Sequence, residues 1–293
     1  MKSKIDLGIY NKTYNEVENG LLPSLLSYYK NPSEAYVKPF KILNNLYYVG
    51  DKKVCSHLID TGDGLILFDA GYQHTIHLLI NSIYELGFNP KDIKYLIISH
   101  GHFDHFGATN ELRALYNCKT FMSKEDCDML RNHKDASLLS VSPNPYASLP
   151  IIDHEFLDGE IIKLGNTTIK CVLSAGHSPG TTSFFFDVLD GEKTYKVGYF
   201  GGTGFLTLYK DYLTKYGLDL SLRTKFIETI KKLKGIKVDV MLGNHPPHNK
   251  TLEKRLEMLK NANKNPFIDA NEWNNYLELL YNQYMAFLEK DSN

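Results

Sequence analysis

The chain has 293 residues, and its 33 lysines and arginines stand against 34 aspartates and glutamates, for a net charge of −1. That balance excludes the basic footprint of a nucleic-acid or membrane-surface binder, and no stretch approaches the roughly 20 apolar residues a membrane helix needs. A hydrophobic share of 43% is enough for a substantial core.

Residues 1–38 read as an arm packed on the body formed by 39–293. The first residues, Met1-Lys2-Ser3-Lys4-Ile5-Asp6, lack the apolar run of a signal peptide. A cytoplasmic protein is therefore expected, with a secreted or periplasmic form as the alternative. Residues 16–29 hold a short helical pattern with Leu21, Leu22, Leu25 and Leu26, interrupted by Pro23. Strands are expected at 40–43, 46–49, 55–59 and 65–68, the last two joined by the turn Thr61-Gly62-Asp63-Gly64. Ile76, Leu79, Ile80 and Ile83 recur at i, i+3, i+4, i+7, which predicts a helix with one buried face; Gly87 stops it. Tyr95-Leu96-Ile97-Ile98 is the next strand, and a helix opens near Gly107 with Leu112 and Leu115. The segment 131–150, rich in Ser, Asn and Pro, reads as a long surface loop bordering the active-site cleft. Further strands fall at 161–164, 168–173, 182–188, 196–200 and 238–242, with a helix around Phe226, Ile227, Ile230 and Leu233. Asp269-x-x-Glu272 resembles a capping box. It precedes a helix whose stripe is Trp273, Tyr276, Leu277, Leu280, Tyr284 and Leu288. Strands followed by helices in both halves, with no linker between them, predict one α/β domain with two central sheets and helices outside. The four cysteines, at 55, 118, 127 and 171, form no C-x-x-C and read as buried thiols.

The chemistry concentrates in Ser99-His100-Gly101-His102-Phe103-Asp104-His105, directly after an apolar strand. Packing does not call for three imidazoles and a carboxylate within six residues, but these are the ligands zinc favours in an open, catalytic site. Two more histidines emerge among Gly and Pro at strand ends, in Gly176-His177-Ser178-Pro179-Gly180 and Gly243-Asn244-His245-Pro246-Pro247. His248 is a weaker rival to His245. His57, His74, His77, His133 and His154 read as ordinary core or surface residues; His74 and His77 lie three apart but have no carboxylate partner.

H-x-H-x-D-H, then G-H-S-P-G, then a late strand-end histidine resemble the metallo-β-lactamase superfamily, over a stretch from about Phe40 to the C-terminal helix. The resemblance implies a four-layer αββα sandwich with metals at one edge. Thiol hydrolases, lactonases and RNA-processing members of the superfamily usually carry a metal-bridging Asp in an F-x-G-D turn, which here reads Phe200-Gly201-Gly202-Thr203. The first β-lactamase subclass places a Cys there, and no Cys follows Cys171. The pattern left is that of the third β-lactamase subclass, which Asn265-Pro266-Phe267-Ile268-Asp269 also resembles. By that resemblance His100, His102 and His177 hold one zinc, and Asp104, His105 and His245 a second. Asp104 also orients the nucleophile, Asp69 orients a metal histidine from behind, and Thr203 stands where a subclass serine binds the substrate carboxylate. Gly176 and Gly180 permit the turn that aims His177.

The implied activity is that of a two-zinc metallohydrolase with a small-molecule substrate. It would open the amide of β-lactams or a similar cyclic amide through a metal-bound hydroxide, and so confer antibiotic resistance. The alternative is a cytoplasmic metal-dependent hydrolase of another ester, lactone or thioester. A two-iron redox role is disfavoured, since such sites place a carboxylate in the H-x-H and keep the bridging Asp. Two features depart from the secreted subclass members: Gly202-Thr203-Gly204 replaces a common Ala-Asp-Ser, and no export signal is seen.

Overall fold

Alternation along the strands sets the layers of this protein, because successive side chains on a strand point to opposite faces. The computed structural model describes residues 11–291; the reading of Met1–Asp6 lies outside the described residues. One sheet holds β1 (Phe40–Leu43), β2 (Leu46–Tyr48), β3 (His57–Asp60), β4 (Leu65–Phe68), β5 (Ile93–Ile97), β6 (Lys119–Ser123) and β7 (His154–Phe156) in chain order. Its first four strands are antiparallel and the pairs from β4 to β7 parallel. The other sheet holds β8 (Ile161–Leu164), β9 (Thr167–Leu173), β10 (Thr182–Asp190), β11 (Lys193–Phe200) and β12 (Val240–Gly243), ordered β12-β11-β10-β9-β8. Here β11 and β12 alone run parallel.

On β4, Ile66 and Phe68 enter the core between the sheets, whereas Leu65 and Leu67 face outward. On β12, Val240 and Leu242 enter that same core and Met241 faces outward. The outward rows are covered by helices. Over the first sheet lie α2 (Ile76–Glu85), the one-turn α3 (Phe103–Phe106), α4 (Thr109–Tyr116) and α5 (Lys124–Asn132), which contribute Leu79, Phe106, Leu112 and Met129. Over the second lie α6 (Lys210–Lys215), α7 (Leu222–Leu233) and α9 (Glu272–Lys290), which contribute Leu213, Phe226 and Trp273. α8 (Thr251–Lys260) follows β12. The result is the expected four-layer αββα sandwich. All four cysteines are buried and free.

Several local expectations are corrected. The arm helix α1 runs from Tyr14 to Lys30 straight through Pro23, opened by a capping box between Thr13 and Glu16. It buries Tyr14, Val17 and Tyr28, while Leu22 and Leu26 are exposed. One end of α1 meets Tyr209 and Tyr212 and the other Tyr72 and His74, so it spans both halves of the body. At α9 the anticipated Asp269–Glu272 box is absent: Asp269 Oδ1 accepts from Asn271 N, in a turn ahead of the helix. Leu115, placed on a buried face by the sequence, is exposed. The segment 131–150 is not a featureless loop, since α5 reaches Asn132 and 3₁₀ turns follow at Lys134–Ser137 and Leu139–Val141.

His57 lies in the inter-sheet core between the rings of Tyr48 and Tyr199, at centroid distances of 5.6 and 5.5 Å. Neither of its ring nitrogens has a hydrogen-bond partner among the described residues. Burial pushes its pKa down to about 3 from the ordinary 6.5. As pH falls below about 6.5 the unfolded chain gains this proton and the folded chain does not, so stability present at neutral pH is lost through that window. His57→Phe keeps a flat ring between the two tyrosines. It should therefore narrow the gap between urea midpoints measured at about pH 7 and about pH 4.5; an unchanged gap would contradict this account.

Candidate metal centre

The strand ends that carry the histidines share one edge of the sandwich. Backbone bonds between loops of the two sheets hold that edge: Thr182 N donates to Ser99 O at 2.9 Å and Cys55 N to Asn244 O at 2.9 Å. His100 follows β5, His102 caps α3, and Asp104 and His105 ride on that single turn. His177 sits in the β9–β10 loop. Gly176 before it has φ +146, and a Cβ there would lie 2.4 Å from Phe226, so only glycine fits. His245 follows β12.

The six residues expected as ligands converge in two triads. His177 Nε2 lies 3.0 Å from His102 Nδ1 and 3.2 Å from His100 Nε2. His105 Nε2 lies 3.2 Å from His245 Nε2, and Asp104 Oδ2 lies 3.3 and 3.5 Å from these two nitrogens. The triads adjoin, since ligand atoms of His100, Asp104 and His105 also fall within 4.8 Å of one another. Four ligands about 2.0–2.1 Å from a tetrahedral zinc stand about 3.3 Å apart, close to these separations.

Proton positions sharpen the comparison. His245 Nδ1 lies 2.7 Å from Lys53 O, and His177 Nδ1 lies 2.8 Å from Gly204 O. A carbonyl only accepts, so in each ring the proton sits on Nδ1 and Nε2 presents a lone pair. His105 Nδ1 is likewise directed at Asp69 Oδ2, 2.8 Å away. With His105 neutral, three lone-pair-bearing atoms face one another in the second triad, an arrangement that calls for positive charge among them, either a second proton on His105 or a cation.

The electrostatics agree. Burial opposes charge on His105, yet Asp104 and Asp69 on its two flanks push its pKa up to about 10. The pocket thus demands positive charge at Nε2, which a proton or a cation can supply. Burial alone would raise the Asp104 carboxyl, but His105 and His245 hold it well below the usual carboxylate range. Burial lowers His177 to about 4 and drives His100, His102 and His245 down as well, with neighbouring imidazoles adding to the shift in those three. Neutral imidazole is the form that binds metal.

Behind this cluster Asp69 is fully buried, with φ +56. It accepts from Ser99 N at 2.7 Å, Ser99 Oγ at 2.8 Å and Tyr199 Oη at 2.5 Å, in addition to His105. Thr203 Oγ1 lies 2.9 Å from His248 Nε2, so His248 is engaged there rather than in either triad. The 131–150 segment bonds to α6 through Tyr212 Oη to Ala136 O at 2.6 Å. It also bonds to the turn after β4, through Asn144 Nδ2 to Gln73 Oε1 at 2.5 Å. That turn abuts α3 through the Gly71–Phe106 bridge.

Sequence reasoning missed Asp126, which is fully buried in the first turn of α5. It accepts from Gly101 N at 2.6 Å, Gly180 N at 2.6 Å and Ser178 Oγ at 2.7 Å. The only local sign, Ser123-x-x-Asp126, also reads as a plain helix start. The carbonyls of Lys53 and Gly204 have no sequence signature at all.

Comparison with known proteins is consistent with this geometry. Residues 49–191 match the model of the metallo-beta-lactamase superfamily. The chain is 31% identical to hydroxyacylglutathione hydrolase GloC of Haemophilus influenzae over 59% of this chain and 78% of that protein. The chain belongs to the metallo-beta-lactamase superfamily. Among solved structures, the FEZ-1 metallo-beta-lactamase of Legionella gormanii is similar with a TM-score of 0.80 and 29% identity, over 88% of this chain and 98% of that one. BJP-1, a subclass B3 metallo-beta-lactamase of Bradyrhizobium japonicum, gives 0.78 and 29%, over 88% and 96%. This superfamily member is a zinc-dependent hydrolase with a histidine-rich candidate metal site. No helix among the described residues is long and apolar enough to cross a membrane.

The different settings of His245 and His248 can be tested by metal counting. His245→Ala is expected to lose about one zinc per chain and His248→Ala none, read by mass spectrometry of the native protein. Equal zinc content in the two variants would show the second triad to be misassigned.

Proposed function

We propose that the chain is a two-zinc hydrolase that opens the amide of β-lactams or a similar cyclic amide. In this reading His100, His102 and His177 hold one ion, and Asp104, His105 and His245 the other. The observation that carries it is the second triad, in which His105 Nε2, His245 Nε2 and Asp104 Oδ2 face one another at 3.2–3.5 Å with both imidazole protons turned outward. Zinc held there supplies Lewis acidity and makes a nucleophile of water at neutral pH.

The protein's own residues do the rest. Asp69 and the Lys53 carbonyl fix the rings of His105 and His245, and the Gly204 carbonyl fixes His177, so the donor atoms are set before any ion arrives. Asp104, the partly exposed carboxylate of the cluster, orients the attacking water as well as ligating. Thr203 offers its hydroxyl to the substrate from the turn beside His177. No side-chain nucleophile is needed: Gly176-His177-Ser178-Pro179-Gly180 matches G-x-S-x-G in sequence, but it joins two strands rather than a strand and a helix, and Ser178 is buried with its Oγ bonded to Asp126 and Thr181; every cysteine is buried as well.

The lactam reading rests on the turn after β11, which ends in Thr203 rather than a bridging aspartate, and on the likeness to the two β-lactamases. A second reading, hydrolysis of a thioester, lactone or other ester, is favoured by the 31% identity to a hydroxyacylglutathione hydrolase.

Zinc-loaded protein is expected to hydrolyse nitrocefin or a carbapenem, to lose that turnover to EDTA and to regain it with added zinc. Turnover of a thioester or lactone in the same panel, with none of either β-lactam while two zincs are bound, would replace the first reading by the second.

A further inference from the structure

Each triad has a buried aspartate behind it, and the two aspartates act differently. Asp69 bonds a ligand ring directly, that of His105 in the second triad. Asp126 touches no ligand ring, according to its hydrogen bonds; its three donors all lie in the two turns that carry the first triad. Gly101 sits between His100 and His102, and Ser178 follows His177. One carboxylate thus ties the turn holding two ligands of the first triad to the turn holding the third.

We infer that Asp126 is the positioning residue of the first metal site, clamping the His100–His102 turn against the His177 turn. The inference rests on the proposed reading of His100, His102 and His177 as the ligands of one ion. The clamp is built closely. Ser123, the N-cap of α5, donates its Oγ to Gly180 O at 2.7 Å and accepts from Asp126 N at 3.3 Å. A Cβ on Gly180 would lie 2.1 Å from Ser123 Oγ and 2.3 Å from Asp126 N, so the His177 turn is pressed directly onto the start of the helix. A carboxylate has two acceptor oxygens and here meets three donors. Its place in the first turn of a helix also favours negative charge. An amide of the same shape cannot replace it, since its NH₂ would face a backbone N–H.

Zinc binding to the full-length protein, followed as a two-step isotherm in competition with a chromophoric chelator, tests this. Asp126→Asn should weaken one step about 10–100-fold and spare the other. Asp69→Asn should weaken the step that Asp126→Asn spares. Thermal melting of the zinc-free proteins separates positioning from general stability. Wild-type affinity at both steps in Asp126→Asn would overturn the inference, as would equal loss at both steps with a lowered zinc-free melting temperature. Should Asp126→Asn fail to fold, Ser178→Ala decides. It removes one donor and keeps both backbone bonds, and should weaken the same step several-fold, whereas an unchanged isotherm would refute the clamp. Wild-type protein that binds no zinc would instead overturn the ligand reading itself.

Discussion

Three acceptor atoms held at 3.2–3.5 Å in a largely buried pocket repel one another unless positive charge sits among them. With the Nδ1 protons of His105 and His245 engaged by Asp69 and by the Lys53 carbonyl, that charge has to come from a second proton on His105 Nε2 or from a cation. The protein therefore carries a locally unfavourable cluster that the rest of the fold must hold in place. Large aromatic side chains supply much of that support: Phe68, Phe184 and Tyr199 lie between the sheets, and Trp273 and Phe226 beneath the outer helices. Close-packed interiors of this kind do not yield gradually, so ligand atoms attached to their rim keep their spacing.

The rim is made precise by short connections across the sheets. Asn244, just before His245, donates its side-chain amide to Gly201 O at 2.8 Å and receives Cys55 N on its carbonyl. His245 is thus tied to the turn after β11 on one side and to the turn before β3 on the other. Asp69 accepts a left-handed backbone conformation to reach its position. For a residue other than glycine that costs on the order of 1–3 kcal/mol, offset by the four donors that surround it. Such a trade is expected where geometry serves a site rather than the core.

Much of this was legible in the chain, for reasons that can be stated residue by residue. The layers follow from strand alternation and from helices with one apolar face, such as Ile76–Glu85 and its buried Leu79 and Ile83. The histidines showed because dense polar groups after an apolar strand have no packing rationale. What stayed hidden were the parts whose signal is shared with ordinary structure or carried by backbone. Asp126 looks like a helix-start residue, the Lys53 and Gly204 carbonyls could be any carbonyls, and Pro23 gives no hint that α1 continues through it. β6 and α5 escaped because Lys119–Ser123 and Lys124–Asn132 are short and mixed in polarity. Tertiary contacts, not local propensity, fix them.

The ligand set also bears on what the site can accept. On the proposed split, five imidazoles are neutral and Asp104 is the one carboxylate, so two divalent ions leave three net positive charges at the cluster. A bridging aspartate in the turn after β11 would lower that by one, and here that turn contributes only the Thr203 hydroxyl, 2.9 Å from His248. Loaded with two ions in this way, the site would attract anionic substrates more strongly than a site of the bridging-aspartate type, and low-dielectric walls would increase the difference. A carboxylate-bearing cyclic amide meets that demand through its charge as well as its reactive carbonyl, whereas a neutral lactone meets only the second. That difference adds to the likeness to the two β-lactamases in setting a carboxylate-bearing lactam ahead of a neutral lactone, while an anionic thioester would meet the same charge demand.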